Sequence, residues 1–327
     1  MHLVNVQHFY PSKLVLEFPA YPQNQINFLR AKQIQFDCHV AIDPYGYLLC
    51  KSIFPQINPY YYSLELYLSY DHTHLTYTPE TRSAELKSIR SIKGLIIQSE
   101  ERAELFKKDR LLAKTLPTFI LPVILPGKSV KSKSDYLRDK YKINKAKKIA
   151  LHLGGIADWY SCLEVVSVFS QLSDWVVFFQ GYQEPIYTQK LKNHIVKNAI
   201  NNVFITNEVF DDYKQTYPII QSCHLGIAWY NDLGLNFRTT GPSSGKITAY
   251  LKFGLPVIAN NYPSCQRVIA DADAGICVST IDKMNKAVKT IETDYTKYSQ
   301  NARKQFDAIF SFENYKQGLS KFLELDK

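Results

Sequence analysis

None of the six cysteines is spaced as C-x-x-C. Cys38 in "FDCHVAI" and Cys277 in "AGICV" sit inside apolar stretches. That excludes a disulfide framework and a zinc module, and implies buried, reduced thiols. The start, "MHLVNVQHFY", has neither the basic region nor the apolar core of a secretory signal. The longest apolar candidate, "TLPTFILPVILPG", is too short to span a bilayer and is interrupted by breakers. No internal repeat or low-complexity tract occurs. "DHTH" (Asp71–His74) is not completed by further His or Cys into a tetrahedral set, so no metal is expected. Acid is scarcer than base, 30 Asp and Glu against 39 Lys and Arg, and the resulting charge of +9 suits partners that carry phosphate. No helix-turn-helix, RRM or zinc-finger pattern accompanies that charge, so nucleic acid is not expected. What these absences leave is a cytoplasmic globular chain, and its 327 residues suffice for two domains.

What is present alternates strand with helix, the signature of parallel α/β sheets joined by right-handed crossovers. "QFDCHVAID" (Gln35–Asp43), "YYYSLEL" (Tyr60–Leu66) and "KGLIIQS" (Lys93–Ser99) read as buried strands. "TPETRSAELKSIRSI" and "EERAELFKKDR" read as helices, the second with acids leading and bases trailing. Residues 126–147 are basic with almost no apolar pattern, and read as a linker between domains 1–125 and 148–327. Beyond it the series resumes: "KIALHLGG", "WVVFFQGY", "NVFITNEV", "HLGIAWY", "LPVIAN" and "AGICVS" as strands, with helices between and after them. The fold class expected is two Rossmann-like parallel-sheet domains, the first one shortened.

One loop stands out. Arg238–Asn260, "RTTGPSSGKITAYLKFGLPVIAN", resembles a nucleotide-binding P-loop, but only three residues separate Gly241 from Gly245 and Ile247 follows Lys246. A P-loop needs four, and a Ser or Thr after the lysine, so a P-loop kinase is disfavoured. A helix from about Ser243 to Phe253, closed by Gly254, would still present unpaired N–H groups to an anion. Ser243, Ser244, Gly245 and Lys246 then act either as an ordinary cap or as a phosphate clamp.

Ligands of open parallel sheets bind beyond the carboxyl ends of the strands. That edge holds Gly154 and Gly155, which serve either a tight turn or close approach of a ligand, and Glu208. It also holds Glu65, an acid among aromatic and apolar neighbours, which has either a structural hydrogen-bonding role or a place in the site.

Residues 148–280, and most specifically "PSSGKITAYLKFGLPVIANN" with "DADAGICV", resemble the donor domain of GT-B glycosyltransferases of the retaining group 1 family. "FDCHVAIDPYG", "YYYSLELYLSY" and "KGLIIQSEERAELF" resemble the acceptor domain in pattern. The resemblance implies a metal-independent transferase moving a hexose-type sugar from a nucleoside-diphosphate sugar, with no other cofactor, to a glycan or lipid-linked acceptor in polysaccharide biosynthesis. Loose contact with an anionic inner membrane face would fit the charge. In that reading Ser243, Ser244, Gly245 and Lys246 hold the diphosphate, Gly154 and Gly155 let the donor lie against the first strand of the domain, and Glu208 and Val209 fall beside the nucleobase. Arg238, Lys246 and Glu65 are the catalytic candidates. The family's two glutamates, eight apart, fall here on Gly241 and Ala249. The alternative is a catalytically weak or inactive homologue that acts as a binding partner of an active transferase.

Overall fold

Parallel strands cannot be joined by a tight turn, so each must be followed by a crossover, usually a helix. The computed structural model describes residues 36–70, 77–206, 208, 210 and 213–325, and all strand pairs in its two sheets are parallel. The chain divides into two compact units, one running to Pro122 and taking in the segment from Tyr315, the other Val123–Asn314. No helix among the described residues is long and apolar enough to cross a membrane.

The first unit comprises β1 (Val40–Ile42), α1 (Asp43–Ile53), β2 (Tyr60–Tyr62), α2 (Pro79–Leu86), β3 (Gly94–Ile97), α3 (Glu100–Asp109) and β4 (Thr118–Ile120), with strand order β1-β2-β3-β4. Its core is aromatic and aliphatic: Tyr47, Tyr61, Leu95, Ile97 and Phe106 are buried. A buried ion pair, Arg110 with Glu85 at 3.1 Å, is closed by the Tyr61 hydroxyl donating to Glu85 at 2.8 Å. The strands expected at 35–43 and 60–66 are each only three residues long. Asp43-Pro44 opens α1 where the first should continue, because proline suits the first turn and aspartate the positive helix end. After Tyr62 the chain leaves the ladder: the Leu64 and Glu65 N–H groups donate to the Asp43 carboxylate at 2.8 and 3.2 Å.

The second unit comprises α4 (Tyr136–Tyr141), β5 (Lys148–Leu153), α5 (Cys162–Phe169), β6 (Trp175–Gln180), α6 (Pro185–Lys197), β7 (Val203–Thr206), α7 (Tyr217–Gln221), β8 (Leu225–Ala228), α8 (Leu235–Arg238), α9 (Gly245–Lys252), β9 (Val257–Asn260), β10 (Gly275–Val278), α10 (Met284–Thr293) and α11 (Tyr295–Gln305). Strand order is β10-β9-β8-β5-β6-β7. The strands are apolar runs because both faces are covered. One face packs Leu151, Phe178, Tyr250, Phe253 and Phe306, and the other packs Val177, Phe179, Phe169, Ile227 and Val288. The order reverses at β5, which has β6 on one side and β8 on the other. That is the switch point where open sheets form a ligand crevice.

Two boundaries differ from those expected from composition. Residues 126–147 are built into the second unit rather than bridging: the Lys252 ammonium donates to the Pro126 carbonyl, Ser129 Oγ to Asp307 at 2.8 Å, and Lys133 to the Cys223 carbonyl at 3.0 Å. The last helix, α12 (Lys316–Phe322), expected with the second domain, belongs to the first unit. There the Phe322 ring packs 5.2 Å from Tyr60 and 5.5 Å from Phe119.

Candidate functional site

At the switch point β5 runs out into Gly154 and Gly155. Gly154 has φ 121°, a conformation that L side chains rarely adopt, and a Cβ there would lie 3.3 Å from Lys246 Cε. A Cβ on Gly155 would lie 2.9 Å from the Tyr160 ring. The pair is therefore shaped by two particular side chains as well as by the turn.

Opposite stands the N-terminus of α9. Ser244 is its cap: the backbone there is extended, and its Oγ accepts from the Ile247 N–H at 3.3 Å. The same hydroxyl is hydrogen-bonded to the Tyr230 hydroxyl, two residues beyond the end of β8. Capping takes one of the helix's first N–H groups; those of Gly245 and Lys246 have no backbone or side-chain acceptor among the described residues. Gly245 is exposed. Two free N–H groups and a helix dipole on an accessible turn are the ingredients of an anion site.

The Lys246 side chain is the unusual element. Its Nζ is buried and has no hydrogen-bond partner among the described residues. It lies 3.9 Å from the centre of the Tyr160 ring and 4.8 Å from that of Tyr230. Burial brings the amine down to about 7, so near neutral pH its charge is balanced on an edge. His152, one position before the end of β5, is fully buried and packs its ring against Phe179 and Tyr160 at 5.3 and 5.5 Å. Burial, with Lys246 nearby, brings this imidazole down to about 3.

The structure brings Gly154, Gly155, Ser244, Gly245 and Lys246 together at one place, and puts other expected residues elsewhere in their bonding. Ser243 turns its Oγ back to the Thr239 and Thr240 carbonyls at 3.4 and 3.3 Å, the residues just before its own turn. Glu208 is held by Lys140 at 2.7 Å and by the Tyr136 and Tyr141 hydroxyls at 3.1 and 3.2 Å. Burial works against its charge, but these donors hold the carboxyl below the ordinary range. Val209, like Asp71–His74, lies outside the described residues. Arg238 is exposed and paired with Asp232 through two bonds of 2.7 and 2.8 Å.

Glu65 is exposed rather than enclosed by its aromatic neighbours, because the ladder ends at Tyr62. The half-buried acid at that sheet edge is Asp43, at φ 56°, whose carboxyl burial pushes up to about 7. Gly241 and Ala249 are both buried. A Cβ on Gly241 would stand 2.1 Å from the Ser264 carbonyl oxygen, and the Gly241 N–H donates to Ser264 Oγ at 3.1 Å. Backbone occupies the space that a side chain would need there.

Sequence reasoning did not find His152, Tyr160 or Tyr230. His152 leaves a trace, a polar residue inside the apolar run "KIALHL". The tyrosines leave none, being two of 23.

Residues 191–320 match the family described as glucosyltransferase 3-like, C-terminal domain. Over 93% of its length the chain is similar in structure to HepE of Anabaena, solved with UDP-glucose, at 15% identity and over 84% of that chain, TM-score 0.72. It is similar to sucrose-phosphate synthase of Thermosynechococcus elongatus at 12% identity, over 93% and 77%, TM-score 0.71. A glycosyltransferase of Rickettsia africae aligns at 13% identity over 95% and 85%, TM-score 0.65. No curated protein matches the chain in sequence. The fold is GT-B, as in these solved structures, and residues 191–320 carry the match in sequence to the glucosyltransferase 3-like domain.

Proposed function

We propose that this chain of GT-B type transfers a hexose from a nucleoside-diphosphate sugar to a glycan or lipid-linked acceptor, with the donor's diphosphate held by the second unit. The observation that carries the reading is the meeting of Lys246, the free N–H groups of Gly245 and Lys246, and the Gly154–Gly155 turn at the switch point. The structural neighbour HepE holds UDP-glucose on the same fold.

In transfer, the bond between the anomeric carbon and the diphosphate oxygen breaks, and its electron pair stays on the leaving phosphate. Charge therefore grows where cations and N–H dipoles are already fixed, which is the most effective place for them. The Lys246 ammonium and the two α9 N–H groups supply that stabilisation, while the acceptor hydroxyl oxygen forms the new bond to carbon and gives up its proton to the leaving phosphate. Retention of configuration and metal independence follow the family resemblance. Arg238 joins the site only by releasing Asp232. The acceptor belongs to the first unit in this reading, with Glu65 and Asp43 as the acids at its sheet edge. The charge of +9 favours an anionic membrane surface for lipid-linked acceptors.

The blocked space at Gly241 and the burial of Ala249 favour one other reading, a homologue that binds donor without turning it over. Calorimetry with UDP, GDP and ADP, followed by hydrolysis or transfer assays with their sugar conjugates, tests both. One nucleotide should bind, and Lys246→Ala should weaken it by about 1–3 kcal/mol. Binding without turnover selects the second reading, and no binding to any of the three sinks the donor site.

A further inference from the structure

The β5–β6 ladder ends at Leu153 opposite Gln180. Beyond it the chain is fastened at alternate residues: the Gly154 N–H donates to the Gln180 carbonyl at 2.8 Å, and the Ile156 N–H to the Tyr182 carbonyl at 2.7 Å. Gly155, between them, has no backbone tether among the described residues; its carbonyl instead accepts from His152 Nε2 at 2.9 Å. A carbonyl only accepts, so Nε2 must carry the proton and the imidazole is the Nε2–H tautomer. Nδ1 is then a buried lone pair, and it has no partner among the described residues. Phe179 and Tyr160 fix the ring plane from two sides, and Lys246 disfavours a second proton.

We infer that His152 is a positioning residue for the Gly154–Gly155 turn: its Nε2–H ties the Gly155 carbonyl and so fixes the backbone against which the Lys246 amine and a bound diphosphate are placed. Two successive glycines are the least constrained backbone a chain can have. A site works only when its supporting shell holds it to a fraction of an ångström. Here one side-chain bond supplies that constraint at the point where the ladder has stopped. Its functional meaning rests on the donor-site reading; its structural meaning does not.

The test compares His152→Gln, whose amide N–H can stand where Nε2 stands, with His152→Leu, which keeps the bulk and removes the donor. Amide exchange at Gly154 and Ile156 should quicken about tenfold in His152→Leu and stay near wild type in His152→Gln. Affinity for UDP, GDP or ADP should fall about tenfold in the first and remain within roughly threefold in the second. Nitrogen-15 spectra of histidine-labelled wild type should show His152 as the neutral Nε2–H tautomer down to pH 5. Wild-type exchange in a folded His152→Leu, or an Nδ1–H tautomer, overturns the inference. If wild type binds none of the nucleotides, the donor-site reading falls and the exchange comparison still decides the positioning role. If His152→Leu does not fold, the tautomer and the His152→Gln exchange decide it.

Discussion

The Nζ of Lys246 lies 3.9 Å from the centre of the Tyr160 ring, and no acceptor among the described residues takes its protons. A ring face offsets part of the cost of burying an ammonium, on the order of 1–2 kcal/mol. It does not replace three hydrogen bonds. The amine is stored in a place that a phosphate oxygen would suit better.

Lys246→Met should therefore make the protein more stable by about 1–2 kcal/mol, since it removes a buried group left unpaired. The same substitution should weaken nucleotide binding. Urea denaturation beside calorimetry checks both. A less stable Met variant would show that the amine has a partner after all.

Stability and affinity should also respond to pH in opposite senses. The unfolded lysine titrates near 10.4 and the folded one at about 7. Between these values the unfolded chain binds the extra proton, so this group makes stability rise with pH, by about 1.4 kcal/mol per unit at most. Below about pH 7 both states carry the proton and the dependence ends. If the ammonium holds the donor's diphosphate as proposed, affinity should fall as pH rises above about 7. The difference between wild type and Lys246→Met, followed across that window, isolates the effect. A flat difference would remove the buried amine as its cause.

Restoring one carboxylate of the family's pair should not create activity here. Gly241→Glu forces a side chain into the Ser264 backbone, and Gly241→Ala alone should destabilise by about 3 kcal/mol. Thermal unfolding of the alanine variant settles the point. A wild-type melting temperature would mean that the segment from Ser264 yields easily.

Arg238→Ala discriminates between surface pairing and chemistry. The Arg238–Asp232 pair is solvent-exposed, so its loss should leave the melting temperature unchanged. A fall in turnover with unchanged melting would place Arg238 on the leaving phosphate. Unchanged turnover would leave it as a surface pair.

The second unit was largely legible because its strands are buried on both faces. In "WVVFFQ" five consecutive apolar residues precede Gln180, a run of strand length, and all six are buried. The first unit was less so. "QFDCHVAID" and "YYYSLEL" look alike to a pattern of apolar residues, yet Asp43-Pro44 ends one by starting a helix. That helix, "DPYGYLLCKSI", is rich in residues that favour strands and turns, so its pattern is masked. At the site, the Ser/Gly/Lys turn could be read because its chemistry is local. The enclosure of Lys246 by Tyr160 could not, because it joins residues from separate crossovers. Nor does composition reveal that Phe322 completes the first unit's core.

One side chain ties the helix of the site to the sheet beneath it. The β5–β8 ladder pairs only Ala150 with Leu225 and Leu151 with Gly226, whereas β5 and β6 pair along all of β5. Where it gives out, the Tyr250 hydroxyl accepts from the Leu153 N–H at 2.7 Å and donates to the Leu151 carbonyl at 3.0 Å, with the Ile227 carbonyl at 3.2 Å. The ring reaches that place because residue 226 is glycine; a Cβ there would lie 2.2 Å from it. Gly226 and Tyr250 are thus a mutational lock, since neither can change first without harm. Substitutions that reshape this site must therefore leave both untouched, or exchange both at once.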